Sequence, residues 1–120
     1  MTSEFDLVLD LCNSIDKKFN VHFVRVSGCY VIFCNNKQMF IVSKGIIYVD
    51  AHYAIKGLTE NLRVGYPFRA SKLYYIIESD YKDIINEFVS KLDCVLNKCF
   101  SIHTLRRAYN NDKRRVGIDK

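Results

Sequence analysis

The chain has 120 residues, of which 49% are hydrophobic and 26% charged, with one proline and five glycines. This size and composition predict one folded domain and exclude a disordered or repetitive chain. The longest apolar run is too short to span a bilayer, and the acidic N-terminus is unlike a signal peptide, so we expect a cytoplasmic protein.

The first element is predicted from Phe5, Val8, Leu9, Cys12 and Ile15, which recur at three- and four-residue steps. This spacing indicates an amphipathic helix from Ser3 to about Lys18. Short β-branched and aromatic runs follow and predict four strands, Val21–Val26, Cys29–Cys34, Met39–Val42 and Ile46–Val49.

Turn-forming residues separate these runs and make antiparallel hairpins: Ser27-Gly28, Asn35-Asn36 and Lys44-Gly45. Asp50 is expected to cap a short helix from Ala51 to Lys56, which Gly57 would end in the left-handed conformation. Two further strands are predicted near Leu62–Phe68 and Lys72–Ile77.

The longest predicted helix begins at Ser79 or Asp80, and its apolar stripe continues for about five turns to Cys99. The fold class is therefore α+β, with an antiparallel sheet of five to six strands flanked by helices. We divide the chain into an α+β domain, residues 1–99, and a basic C-terminal helix and tail, residues 100–120.

No phosphate-binding loop, dinucleotide fingerprint, zinc-protease motif or nucleophile elbow occurs, and we expect no enzymatic activity, catalytic residue or cofactor. The pairs Cys29/Cys34 and Cys94/Cys99 have metal-like spacing. However, strand residues five apart point to opposite faces, and helix residues five apart diverge by about 140°. We therefore expect buried reduced thiols, with Cys94 exposed, and no metal site.

The histidines His22, His52 and His103 fall in separate elements, which also disfavours a metal site. Tyr74 and Tyr75 are adjacent in a predicted strand, so one side chain should face the core and the other should point outward. An outward tyrosine can anchor a binding surface, although ordinary packing explains the pair as well.

The net charge of +5 is confined to one end of the chain. Lys98 to Lys120 hold seven basic and two acidic side chains, whereas the preceding residues hold eleven of each sign. We expect partner or non-specific nucleic-acid contacts from a set of basic and aromatic residues: Arg106, Arg107, Tyr109, Lys113, Arg114 and Arg115. The alternative is a solvated terminus without a ligand.

An ordered series of short motifs gives a family resemblance. The series consists of Gly28-Cys29-Tyr30, Met39-Phe40, Gly45-Ile46-Ile47-Tyr48-Val49, Pro67-Phe68 and Tyr74-Tyr75. In this order it resembles the N-terminal domain of the TfoX/Sxy family of competence regulators. Three departures accompany it: Ser27 replaces a usual phenylalanine, the stretch before Tyr74 is short, and no complete C-terminal helical domain follows.

The resemblance implies an α-β(3)-α-β(2)-α fold and a transcriptional coactivator that acts with the cAMP receptor protein on DNA-uptake genes. Its motif residues would be Gly28, Tyr30, Phe40, Gly45, Tyr48, Pro67, Phe68, Tyr74 and Tyr75. The competing hypothesis is a general protein-binding or chaperone-like module without a DNA role. In either case a homodimer is conceivable, because the predicted strands are apolar on both sides.

Overall fold

A computed structural model describes residues 4–78 and 81–97. The chain opens with helix α1 (Glu4–Ser14) and a 3-10 turn (Lys17–Phe19). Four strands follow without interruption by a helix: β1 (His22–Val26), β2 (Cys29–Cys34), β3 (Lys37–Ser43) and β4 (Ile46–Asp50). A 3-10 segment (Tyr53–Leu58), β5 (Val64–Gly65), β6 (Tyr74–Ile77), a 3-10 turn (Tyr81–Asp83) and helix α2 (Ile85–Val95) complete the described elements.

The six strands form one antiparallel sheet in the order β1-β2-β3-β4-β6-β5. This confirms the predicted α+β class with helices beside an antiparallel sheet. Four strands precede the middle helical segment, where the family resemblance implies three. The strand β5 is only two residues long, shorter than the run predicted near Leu62–Phe68.

The tight turns form where the sequence predicts them. Gly28 and Gly45 have φ angles of 83° and 77°, and Lys44 before Gly45 also lies in the left-handed region. Both glycines adopt a backbone conformation that costs a side-chain-bearing residue about 1 kcal/mol or more. These turns hold β1 to β2 and β3 to β4 in hairpin register.

A bulge changes the register between β2 and β3. Ile32 pairs with Phe40 but Phe33 pairs with Gln38, so Met39 is the extra residue. An extra residue lets two neighbouring side chains reach the same face. Met39 and Phe40 accordingly both lie in the same core cluster.

Helices cover one face of the sheet, which we call the helical face. Its core joins Val8 and Leu11 of α1 with Phe88 and Leu92 of α2. The strand residues beneath them are largely or fully buried: Ile32, Cys34, Phe40, Val42, Ile47, Val49 and Ile77. The 3-10 segments add Phe19, Ile55 and Tyr81 to the same core.

The opposite face of the sheet, which we call the second face, forms a separate buried cluster. It comprises side chains from five strands: Val26, Cys29, Val31, Phe33, Ile41, Tyr48 and Tyr74. Tyr75 instead packs against the helical face. Tyr74 and Tyr75 thus point to opposite faces, as predicted. The prediction that one of the two side chains points outward is wrong, because both faces are packed.

Three local predictions about the helices are wrong. The side chain of His52, and not Asp50, caps the middle segment by accepting a hydrogen bond from the Ala54 amide at 3.0 Å. Gly57 lies inside that segment and has no left-handed φ angle. The start of α2 is also later than predicted, since Tyr81–Asp83 forms a 3-10 turn and Ile84 is the N-cap.

Candidate functional site: the β5–β6 edge

Three exposed apolar side chains belong to or adjoin the two strands at one edge of the sheet, β5 and β6. Val64, Tyr66 and Leu73 have 49%, 63% and 40% of their surface exposed, respectively. Gly65 pairs with Tyr74 across β5 and β6, so Tyr66 and Leu73 are the next residues of two facing chains. We call these three residues the docking edge.

The shape of this edge depends on Gly65. A Cβ atom at this position would lie 3.0 Å from Ile76 Cδ1 and 3.4 Å from Tyr48 Cε2. A side chain here would require the end of the Ile76 side chain to shift by a few tenths of an ångström, so glycine favours the close approach of β5 to the sheet. The following residues anchor the connection, because Pro67 is buried and Phe68 packs against the second face.

Two ion pairs lie near the docking edge. Lys72 Nζ lies 2.9 Å from Asp50 Oδ2 and 5.3 Å from the centre of the Tyr74 ring. Arg63 Nε donates to Glu78 Oε2 at 2.7 Å. Exposed ion pairs contribute little stability. Because these two pairs are each neutral, the apolar side chains are the larger feature of this edge, which suits a protein partner better than a phosphate.

A second candidate, a polar hollow of about 400 Å³, is lined by Asn20, Asn35, Asn36, Lys37 and Asp93. The ammonium group of Lys37 already makes internal contacts. Its Nζ atom pairs with Asp93 Oδ1 at 2.9 Å and also donates to the Asp93 carbonyl oxygen. Lys37 therefore ties the end of α2 to the start of β3. We assign the hollow a structural role.

A third candidate, the acidic group Asp10 beside Tyr81, is also structural. The Tyr81 hydroxyl donates to Asp10 Oδ2 at 2.6 Å and joins α1 to the segment before α2. This hydrogen bond lowers the pKa of Asp10. Burial, followed by the bond to Asp10, raises the pKa of Tyr81, so its hydroxyl keeps its proton at neutral pH.

The cysteines lie where the strand geometry predicts. Cys29 belongs to the second face and Cys34 to the helical face, so the two thiols point in opposite directions. Burial raises the pKa of Cys12 to about 11 and that of Cys34 to about 12, which disfavours the reactive thiolate. Cys94 is exposed, as predicted.

Two histidines have structural environments. The His22 ring stacks on Phe33, with ring centres 5.1 Å apart and planes inclined by 4°, and His52 is the cap described above. Within residues 4–78 and 81–97 no group of three or more His, Cys, Asp or Glu side chains could hold a metal ion. In the same ranges, no helix is long and apolar enough to cross a membrane.

The family-motif residues form turns and core and are not gathered at one site. Gly28 and Gly45 make the hairpin turns, Phe40 is fully buried on the helical face, and Tyr48 and Tyr74 are buried on the second face. Tyr30 and Tyr75 pack against the helical face. The predicted contact residues lie outside the described residues: Arg106, Arg107, Tyr109, Lys113, Arg114 and Arg115.

The docking edge was not predicted from the sequence. Val64, Gly65 and Tyr66 lie in one apolar run with Pro67 and Phe68, and nothing in that run distinguishes the exposed side chains from the buried ones. The available signal was the isolated Gly65, which often marks a close backbone approach inside a strand pattern. Comparisons with family models, with curated proteins and with solved structures found no match to the chain.

Proposed function

We propose that the chain is a non-enzymatic regulatory adaptor of the TfoX/Sxy type, acting in the cytoplasm with the cAMP receptor protein at competence-gene promoters. The motif series from Gly28 to Tyr75 supports the family, and the antiparallel α+β fold is compatible with it. The observation that carries the binding role is the docking edge, where Val64, Tyr66 and Leu73 are exposed together.

The chemistry of the docking edge favours a protein as the ligand. Aromatic and aliphatic side chains supply most of the binding energy at protein interfaces, and exposed tyrosine is a frequent anchor. Residues 1–97 hold equal numbers of basic and acidic side chains. Residues 1–97 thus lack the excess positive charge that attracts a nucleic-acid backbone.

The experiment measures complex formation between the full chain and the cAMP receptor protein, with and without promoter DNA, by fluorescence anisotropy. Tyr66→Ser and Leu73→Ser remove two anchors, and we expect each to weaken binding by about tenfold, which corresponds to about 1.4 kcal/mol. Leu9→Ser is the matched control, because Leu9 on α1 is exposed to nearly the same extent, 38%, as Leu73.

The Leu9 variant should bind within about twofold of the unaltered chain, since exposed side chains outside an interface contribute little. Failure of the unaltered chain to form a complex under both conditions would refute the adaptor function. An equal loss in the Leu9 and Leu73 variants would refute the assignment of the docking edge.

A second candidate is a protein-binding or chaperone-like module with no DNA role, which the charge balance of residues 1–97 favours. Salt dependence separates the two functions. If Arg106, Arg107, Lys113, Arg114 and Arg115 each neutralise a phosphate, DNA affinity should fall by about 4 to 5 decades per tenfold rise in salt. DNA binding that is absent or independent of salt would favour the module without a DNA role.

A further inference from the structure

Strand β1 forms one edge of the sheet, and β5 forms the other. The edge at β5 is short, because that strand has only two residues. Strand β1 has five residues, His22–Val26, and contains neither a proline nor a bulge. Natural sheets protect their edges by short strands, proline, bulges or charged side chains. Of these protections, β1 has only the charge of Arg25.

The outward backbone groups of β1 belong to Phe23 and Arg25. The turn Ser27-Gly28 has positive φ angles of 51° and 83°, as in a tight two-residue hairpin, so the flanking residues Val26 and Cys29 form a hydrogen-bonded pair. Hydrogen-bonded and non-hydrogen-bonded pairs alternate along an antiparallel ladder. Counting back from Val26, the N–H and C=O groups of Phe23 and Arg25 therefore point away from β2. Among the described residues, no strand lies on that side of β1.

An aromatic cluster lies beside these backbone groups on the helical face. The ring centre of Phe5, from α1, lies 5.9 Å from that of Phe23 and 6.1 Å from that of Tyr30. The rings of Phe23 and Tyr30 are 6.0 Å apart. Phe5 is 44% exposed, and the guanidinium carbon of Arg25 lies 5.8 Å from the centre of the Tyr30 ring. The margin of β1 thus combines apolar rings, one cation and outward backbone groups.

We propose that β1 pairs with β1 of a second copy of the chain, antiparallel about a two-fold axis at Val24. All five residues of the strand then take part, in the pairs Val24 with Val24, Phe23 with Arg25 and His22 with Val26. A two-fold axis at any other residue leaves part of β1 without a partner in the second β1. An axis at Arg25 would also set two guanidinium groups directly opposite each other, which is destabilising.

The register about Val24 joins complementary groups. The pair of Phe23 with Arg25 forms once on each side of the axis, and each pair exchanges both of its N–H···O=C bonds, because these residues carry the outward groups. Their side chains lie on the helical face, so Arg25 would lie between its own Tyr30 ring and the Phe23 ring of the second copy. A guanidinium group is attracted to the face of an aromatic ring. The charge of β1 therefore favours this register.

The pairing leaves the docking edge accessible. Strands β1 and β5 lie at opposite ends of the sheet, about 24 Å apart at the usual strand spacing. Six strands from each copy would form one continuous sheet with a docking edge at each end. The dimer would thus offer two identical sites to the protein partner proposed above. The pairing is measured on the chain alone, so either proposal can fail without the other.

Cross-linking at the axis tests the register in the full chain. Val24→Cys and Arg25→Cys are compared in a background of Cys94→Ser and Cys99→Ser, with oxidised glutathione as the oxidant. Only position 24 faces itself across the proposed axis, so its disulfide-linked dimer should form at least about tenfold faster. Random collision would favour position 25, because Arg25 is exposed and Val24 is partly buried. Equal rates, or a faster reaction at position 25, would overturn the proposal.

A proline at an outward amide tests the backbone pairing. Sedimentation equilibrium over a concentration series should show monomers and dimers of the unaltered chain. Arg25→Pro removes an N–H group that does not bond to β2, and we expect it to dimerise at least about tenfold more weakly than Arg25→Ala, which keeps this group. An unaltered chain that stays monomeric at millimolar concentration, or equal dimerisation of the two variants, would contradict the proposal. The cross-linking pair decides where the proline variant does not fold.

Discussion

Replacing Tyr81 with phenylalanine should destabilise the fold by removing one hydrogen bond and little else. The Tyr81 ring is buried in the core of the helical face, and its hydroxyl donates to Asp10 Oδ2 at 2.6 Å. Phenylalanine keeps the ring and its packing. The variant therefore isolates the link between α1 and the segment that precedes α2.

The expected loss of stability depends on the charge and the solvent exposure of the acceptor, the Asp10 carboxylate. A hydrogen bond to a charged group contributes about 1.5–3 kcal/mol. The Asp10 side chain is 50% exposed, so water can solvate the carboxylate after the hydroxyl is removed. We therefore expect a loss of about 1 kcal/mol in the free energy of unfolding, below the usual range for charge-assisted bonds. In a domain of this size that lowers Tm by about 4–8 °C.

The pH dependence of this stability difference is the stronger test of the hydrogen bond between Tyr81 and Asp10. The bond lowers the pKa of Asp10 in the folded chain relative to the unfolded chain, where it is about 3.9. Stability from this group is complete above the unfolded pKa and is lost as pH falls through the folded pKa. The difference between the unaltered chain and Tyr81→Phe should be constant above about pH 5 and shrink below about pH 4.

Urea unfolding at a series of pH values measures this difference, and a double-mutant cycle with Asp10→Asn isolates the coupling. Tyr53→Phe is the control, because Tyr53 is 80% exposed and its loss of a hydroxyl should change stability by less than about 0.5 kcal/mol. A coupling energy near zero, or a difference that stays the same from neutral pH to about pH 3, would refute the reasoning.

Three further predictions concern a turn, the core and the thiols. Gly45→Ala should lower the free energy of unfolding by about 1 kcal/mol because φ is 77° there, although a Cβ atom would meet nothing within 4 Å. The control Gly57→Ala should be neutral or slightly stabilising in thermal unfolding. Phe40→Ala should cost about 3–5 kcal/mol in urea unfolding, and a smaller loss would mean that the core collapses into the cavity. Iodoacetamide should alkylate Cys94 well before Cys34, and peptide mapping that found the reverse order would contradict the assigned burial.

The strand meander could be predicted because local signals agreed with the tertiary structure. The left-handed residues Asn35, Asn36 and Lys44 are at the predicted breaks, and β-branched runs lie between them. The limits of β5 could not be predicted in this way. Gly65 of this strand lies close to the side chains of Ile76 and Tyr48, and local sequence does not report contacts with these residues.

The start of α2 and the cap at His52 were missed for a related reason. Asp50, expected as a cap, is instead bound to Lys72, 22 residues further along the chain. Tyr81, expected inside a helix, is held by Asp10 of α1. In both cases the residue is engaged by a part of the chain that is distant in sequence, and periodicity does not report such contacts. The docking edge was missed because exposure depends on which residues the rest of the chain covers.

The strands β2 and β3 are buried on both faces, and this has a consequence for the chain before it folds. From Val31 to Cys34 and again from Met39 to Val42, every side chain is buried, whichever face it occupies. Two apolar runs joined by a short turn are the kind of segment that pairs with other chains when exposed. The polar residues Asn35, Asn36, Lys37 and Gln38 are all that separates them. We therefore expect a variant that folds slowly to aggregate through these two runs.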